Sequence, residues 1–270
     1  MNYKKELIVA KKVAVKAGRL LLKNFRINRS IYFKGNKSNL VTDMDRASEE
    51  FIVRHIKRVF PHYEIIAEEG LNSQLSTCNS KLYRWHIDPL DGTTNYAHGF
   101  PVFCVSIGLE YEGKIVMGVV YNPNLDELFY AVKDKGAYKT TAAGRNIKRL
   151  AVSQTRKLDE SLLATGFPYD LKVSRDNNVN YFNAFIMNTR AVRRAGSAAL
   201  DLCYVAAGIF DGFWEIKLGS WDLAAGSLIA SEAGAKVTDI KGGKLNIYKG
   251  NVVASNGNIH KQMLDVIRRA

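Results

Sequence analysis

Asp88-Pro89-Leu90-Asp91-Gly92-Thr93-Thr94-Asn95 is the segment of this chain with the densest run of groups able to do chemistry. Two carboxylates three residues apart can converge on one side of a turn that Pro89 stiffens. Gly92 lets the backbone pass close to a ligand, and Thr93, Thr94 and Asn95 read as the capped start of a helix. Hard divalent ions such as Mg²⁺ take carboxylate, carbonyl and water oxygens, and the free N–H groups of a helix start receive phosphate. One turn therefore offers both a cation site and an anion site. Each residue alone is also explained by an Asx turn or an N-cap. An EF-hand loop is excluded, because acidic residues at alternate positions and a Glu at the twelfth are missing. A phosphorylated aspartate of the Asp-x-Asp kind is disfavoured, because the spacing here is three.

Three further acidic features stand at element ends. Glu68 and Glu69 follow the apolar run Ile65-Ile66-Ala67, Asp222 opens a helix that leads to Gly234, and Asp45 lies in Thr42-Asp43-Met44-Asp45 at the start of another. Singly they read as helix caps, first-turn acids or solvated surface. If the anion met there is a phosphate monoester, it is a dianion that repels hydroxide and has a poor leaving group. Two or more Mg²⁺ ions neutralise such a phosphate, lower the pKa of an attacking water and stabilise the leaving oxygen in an in-line displacement. No Cys or His is needed as nucleophile. Cys104 lies in an apolar strand pattern, Cys203 on a core-facing helix, and His86 and His98 flank the turn as structural residues.

The elements that must position these groups are partly legible. Leu7, Ala10, Val13, Ala14, Ala17, Leu20 and Leu21 fall at helical spacing, and the pattern runs to about Phe25. Lysines on the other side fit a surface helix covering the core; the alternative is a basic helix lying on a membrane. It is not a signal peptide. Lys34 to Asn39 reads as a loop. Thr42 or Asp43 caps a second helix through Ala47, Phe51, Ile52, Ile56 and Val59, ending before Pro61. Strands are expected at Arg84 to Ile87, Val102 to Leu109, Val116 to Tyr121 and Leu128 to Val132, with a turn at Asp134-Lys135-Gly136. Helix is expected over Ala198 to Ala207 and Leu223 to Glu232, and extended chain over Phe213 to Ile216 and Lys236 to Thr238. The mixed order predicts layered α/β or α+β. The chain reads as a single catalytic domain over 1–270, with an internal boundary, if any, near Lys148 to Thr155.

The chain has 270 residues, 39 Lys+Arg against 26 Asp+Glu, a formal charge of +13 and 47% hydrophobic residues. That is enough to bury a large core, and it excludes disorder, collagen and coiled coil. Cys78, Cys104 and Cys203 form no CxxC pair and no disulfide framework, which predicts a reducing cytoplasm. No apolar stretch is long enough to span a membrane. The charge admits an anionic substrate, a nucleic-acid partner or a lysine-rich proteome.

The chain resembles the inositol monophosphatase family, magnesium-dependent and lithium-sensitive phosphatases, from the first helix to about Gly250. Asp88 to Thr94, extended through Asn95-Tyr96-Ala97-His98-Gly99-Phe100-Pro101, looks like the family's first signature. Gly219-Ser220-Trp221-Asp222-Leu223-Ala224-Ala225-Gly226 looks like its second, with Gly196-Ser197-Ala198-Ala199-Leu200-Asp201-Leu202 and Phe213-Trp214-Glu215 between them. The resemblance implies a layered αβαβα sandwich and a homodimer. It implies that Glu68, Asp88 and the Leu90 carbonyl hold one Mg²⁺, that Asp88, Asp91 and Asp222 hold a second, and that a third sits more loosely near Glu68. Asp45 and Thr93 would orient the attacking water. Leu90, Asp91, Gly92 and Thr93 would face the substrate, the N–H groups of Gly92 and Thr93 receiving its phosphate. Gly196, Ser197, Ala198, Glu215 and Asp222 would meet its hydroxyls, and Lys37 would lie in a loop closing over the site. Ala67-Glu68-Glu69-Gly70 departs from the family's Gly-Glu-Glu-Ser, which leaves the shape of that turn open.

Inositol-1-phosphate is the substrate the resemblance favours, since Thr94-Asn95-Tyr96 is of the inositol type and Glu215 accepts from ring hydroxyls. Within the superfamily the rivals are fructose-1,6-bisphosphate, 3′-phosphonucleotides (whose enzymes usually have Lys at the position of Thr94) and histidinol phosphate. From another class comes a nucleic-acid-associated protein acting through its basic surface. Arg190, Arg193 and Arg194 are its densest group, but no nucleic-acid motif accompanies them.

Overall fold

Residues 3–27, 31–33, 40–70 and 82–270 are described by the structure, a computed structural model. The loop expected at Lys34 to Asn39, with Lys37, and Cys78 lie outside the described residues.

Helix α1 (Lys4–Asn24) buries Ala10, Val13, Ala14, Ala17 and Leu21 in one stripe, as its periodicity dictates. A two-stranded antiparallel ribbon, β1 (Ile31–Phe33) and β2 (Leu40–Thr42), leads into α2 (Asp43–Val59). Thr42 is the N-cap: its hydroxyl accepts from the Met44 N–H at 3.2 Å, and Asp45 Oδ2 accepts from the Thr42 N–H at 2.7 Å. The helix ends two residues before Pro61.

β3 (Glu64–Ala67), β4 (Tyr83–Asp91), β5 (Cys104–Tyr111), β6 (Lys114–Asn122), β7 (Glu127–Val132), β8 (Ala137–Thr140) and β9 (Lys148–Arg149) form one sheet in chain order. β3 is parallel to β4 and every later pair is antiparallel. The one-turn helix α3 (Thr93–Ala97) links β4 to β5. The second half runs β10 (Leu162–Thr165), α4 (Val179–Ile186), β11 (Ala191–Arg193), α5 (Ala198–Ala206), β12 (Gly212–Glu215), α6 (Ser220–Glu232), β13 (Lys236–Thr238), β14 (Val252–Ser255) and α7 (His260–Arg269). Its sheet has the order β11-β10-β12-β14-β13, parallel through β12, with β14 antiparallel to both neighbours.

Three apolar cores define five layers. α1 and α2 cover one face of the first sheet with Trp85, Ile87 and Leu109 beneath them. α5 and α6 fill the space between the sheets, and α4 and α7 cover the outer face of the second around Trp214, Phe185 and Met263. This is the αβαβα sandwich. α6 is apolar all round because both of its faces are buried. It comes down directly on the first sheet, because a Cβ at Gly108 or Gly118 would lie 2.6–2.8 Å from atoms of Ala224 and Ala225.

Two of the boundaries that differ from expectation bear on the site. β4 does not stop at Ile87 but runs on through Pro89 to Asp91, with a register shift between the pairs Asp88↔Ser106 and Asp91↔Cys104. Pro89 and Leu90 on β4 then face the single residue Val105 on β5, and the extra position absorbs a proline that has no N–H to donate. α6 starts at Ser220 rather than Leu223, so Asp222 lies inside its first turn. No helix among the described residues is long and apolar enough to cross a membrane.

Candidate active site

The bulge in β4 decides where the carboxylates point. In a regular strand, residues three apart face opposite sides of the sheet. The extra residue restores a common side, and ligand atoms of Asp88, Asp91 and Asp222 all lie within 4.8 Å of one another. Asp88 Oδ1 accepts from the Leu90 N–H at 2.9 Å, which closes an Asx turn around Pro89. Asp91 reaches the start of α5: its Oδ2 accepts from Ser197 Oγ at 2.7 Å and from the Ala199 N–H at 2.8 Å. A negative charge is stabilised there by the helix dipole. Asp222 Oδ2 accepts from the Gly219 N–H at 2.7 Å, so it caps its own helix while facing the other two acids.

Burial, then the charges of Glu68, Asp91 and Asp222, pushes the Asp88 carboxyl well above the usual carboxylate range. Burial also raises Asp91, against the bonds from Ser197 and Ala199 that favour its charged form. A buried carboxyl raised both by its burial and by the acids around it marks a site that a cation completes. The donors are all hard oxygens, which fits Mg²⁺, Mn²⁺ or Ca²⁺ and not a thiolate-seeking metal.

Glu68 follows β3, whose register sets Ala67 beside Ile87, and it is half-buried at the rim of the same cavity. The turn that carries it closes with the Gly70 N–H on the Ala67 carbonyl at 3.2 Å. Behind the bulge, Thr93 Oγ lies 2.7 Å from Asp45 Oδ1 and 3.0 Å from the Leu90 carbonyl. Asp45 is fully buried beneath Thr93 and does not itself line the cavity. Gly92 has φ +98°, and a Cβ there would stand 2.8 Å from the Val102 carbonyl oxygen. Only glycine makes this turn from strand to helix without displacing backbone.

The cavity has a volume of about 350 Å³. Leu90, Gly92, Gly196, Ser197, Ala198 and Glu215 line it together with the metal-type acids, so every described residue expected at the site reaches it except Asp45. His86 is buried between Ser220 and Glu110, and His98 is exposed at the end of α3; neither lines the cavity. Burial raises Glu215 well above the carboxylate range, Asp222 and Asp91 add to the shift, and Arg194 opposes it.

Several lining residues were not foreseen. Thr165 ends β10, a four-residue strand with no alternation to announce it, and Gly166 to Tyr169 follow it. Tyr169 is about half-exposed as a residue, but partial loss of water around its phenol, then the charges of Glu68, Asp222, Asp88 and Asp91, pushes that group up. A Cβ on Gly166 would collide with the Glu215 carboxylate. Asp201 also lines the cavity, one turn into α5, and is buried with its Oδ1 unpartnered. Its acidic type within the Gly196-to-Leu202 segment was the available signal.

The sequence profile of the inositol monophosphatase family matches residues 2–270. The chain belongs to the inositol monophosphatase family. It is 42% identical over 257 residues to an inositol-1-monophosphatase of Synechocystis sp., covering 95% of this chain and 86% of the relative. It is 40% identical over 265 residues to the Nus factor SuhB of Pseudomonas aeruginosa, covering 97% and 95%. The solved inositol monophosphatase of Anabaena (Nostoc) sp. superposes with a TM-score of 0.86 at 40% identity, over 100% of this chain and 98% of that one. The chain is thus a phosphatase of this metal-dependent superfamily, and its acid cluster is suited to a metal ion.

Proposed function

We propose that the chain is a Mg²⁺-dependent phosphomonoesterase whose substrate is inositol-1-phosphate. The observation that carries the reading is the meeting of Asp88, Asp91 and Asp222 within 4.8 Å in the cavity that also holds Thr93 and Glu215. The Synechocystis relative's name supports the substrate. Glu68, Asp88 and the Leu90 carbonyl would hold one ion, Asp88, Asp91 and Asp222 a second, and the vicinity of Glu68 a third. Bound there, Mg²⁺ supplies charge neutralisation of the phosphate and of the leaving oxygen.

The chain's own residues do the rest. Asp45 accepts the Thr93 hydroxyl proton at 2.7 Å, which leaves the Thr93 lone pairs to accept a proton from the attacking water. The N–H groups of Gly92 and Thr93, at the start of α3, receive the phosphate oxygens. Glu215 and Asp222 accept from ring hydroxyls, with Gly196, Ser197 and Ala198 shaping the wall beside them. The leaving alkoxide departs in line and takes a proton from solvent, with no covalent enzyme intermediate. Fructose-1,6-bisphosphate and 3′-phosphonucleotides share the phosphate part of this site, so purified protein with Mg²⁺ is assayed on all three. Preference for inositol-1-phosphate by kcat/KM is the expected result, and a higher value for either rival refutes the assignment. Lithium is expected to inhibit. We place the protein in the cytoplasm as a homodimer, which sedimentation at several concentrations tests.

A second reading, association with nucleic acid, is favoured by the charge of +13 and by the Nus factor name of the Pseudomonas aeruginosa relative, which is not the name of an enzyme. Filter binding across salt tests it: affinity that falls steeply with salt supports it, and no binding near about 0.1 M salt removes it.

A further inference from the structure

Three carboxylates form the cluster, but they come from two elements: Asp88 and Asp91 from β4, Asp222 from α6. Something must fix the distance between that strand and that helix to a fraction of an ångström. His86 lies two residues before Asp88, on the same face of β4, and is fully buried. Its Nδ1 is 3.0 Å from Ser220 Oγ, the first residue of α6. Its Nε2 is 3.0 Å from Glu110 Oε2 on β5. Glu110 is an acceptor throughout: Tyr248 donates to Oε2 at 2.6 Å and Arg84 to Oε1 at 3.0 Å. Nε2 therefore donates to Glu110, and Nδ1 shares a hydrogen bond with the Ser220 hydroxyl. The register sets His86 opposite Gly108, the residue over which α6 seats on the sheet.

We infer that His86 is a positioning residue: through Ser220 it holds the first turn of α6, and with it Asp222, at the spacing from Asp88 and Asp91 that a divalent ion requires. This rests on reading those three acids as a metal centre. Glu110, braced by Arg84 and Tyr248, fixes the ring, in the way a carboxylate behind a histidine orients a metal ligand. A second tie, Ser106 Oγ to the Trp221 carbonyl at 3.2 Å, joins the same turn to β5.

The test is metal binding itself. Protein stripped with chelator is titrated with Mn²⁺, and free ion is followed by electron paramagnetic resonance. His86→Leu and Ser220→Ala are expected to weaken the site about tenfold, the lower end of what the loss of such an outer contact costs. His86→Asn places an amide, able to donate or accept, where Nδ1 was and is expected to stay within about threefold of the parent, whereas His86→Gln reaches Glu110 but not Ser220 and behaves like the Leu variant. His260→Leu, a buried histidine bridging Thr238 and Ser255 in the far sheet, is the control for lost stability and leaves affinity unchanged. Parent-like affinity in His86→Leu and Ser220→Ala, equal effects of Asn and Gln, or equal weakening by His260→Leu overturns the inference. A parent protein that takes up no Mn²⁺ overturns the metal reading as well. If His86→Leu does not fold, Ser220→Ala, the loss of one hydroxyl, still decides.

Discussion

Asp45→Asn separates the two tasks that one buried carboxylate performs. Asp45 Oδ2 accepts from the Thr42 N–H at 2.7 Å and from the Thr42 hydroxyl at 2.6 Å, while Oδ1 accepts from Thr93 Oγ at 2.7 Å. An Asn must keep its oxygen toward Thr42, because turning the amide would set one donor against another. Its NH₂ then faces Thr93 and donates to that hydroxyl, whose proton swings to the Leu90 carbonyl 3.0 Å away. The capping geometry survives, weakened from charged to neutral acceptor, for a loss of about 1–3 kcal/mol. In a chain of this size that is a melting point lower by roughly 5 °C. Thr93, however, can no longer pass a proton from water toward a carboxylate, and general-base assistance is worth about 10²–10⁴ in rate. Phosphate release at saturating Mg²⁺ should fall by that factor in protein that still melts cooperatively. Thr42→Ala is the companion: it removes the hydroxyl side of the same cap, costs about 1 kcal/mol and leaves the rate alone. A rate for Asp45→Asn within threefold of the parent, or an equal loss of rate in Thr42→Ala, would refute the assigned role of the Asp45–Thr93 pair.

Asp91→Asn and Asp222→Asn each remove one of three converging carboxylates. Both should lose at least about 100-fold in kcat/KM, about 2.7 kcal/mol of transition-state stabilisation, and require more Mg²⁺ for half-maximal rate. Full activity in either breaks the metal assignment. Gly166→Ala drives a methyl group into the Glu215 carboxylate, so KM for inositol-1-phosphate should rise while Mn²⁺ affinity of the stripped protein is unchanged. His260 is buried between Thr238 and Ser255, and burial together with Lys236 lowers its pKa from 6.5 to about 4. The unfolded chain thus takes up a proton that the native state refuses. Stability present above pH 6.5 is lost as pH falls toward 4, by an amount on the order of 2–3 kcal/mol. Denaturant titrations at several pH values should show this slope, and His260→Gln should flatten it.

Helical periods at α1 and α2 were legible because each buries one stripe and exposes the other. β5, β6 and β7 were legible as apolar runs between turns. β10 and β14 were not: four-residue strands packed on both faces show neither alternation nor length. α7 was not expected either, although the spacing of His260, Met263 and Ile267 carried a helical signal. At the site, the acid types and their order along the chain pointed to a metal and a phosphate. Gly166 and Tyr169 were hidden, because a cavity wall depends on which loops meet and not on local pattern.

By itself, the sequence determined the donor chemistry: five acids, Asp45, Glu68, Asp88, Asp91 and Asp222, at strand ends and helix starts of a chain that is otherwise strongly basic. Those identities are local, since a carboxylate is a hard ligand wherever it stands. Tertiary structure decided which acids share a side and which do not. A single extra residue in β4 turns Asp88 and Asp91 to the same face, two glycines let α6 bring Asp222 down beside them, and His86 ties that helix to the strand. Each of these depends on the register between distant segments, which no spacing within one segment specifies.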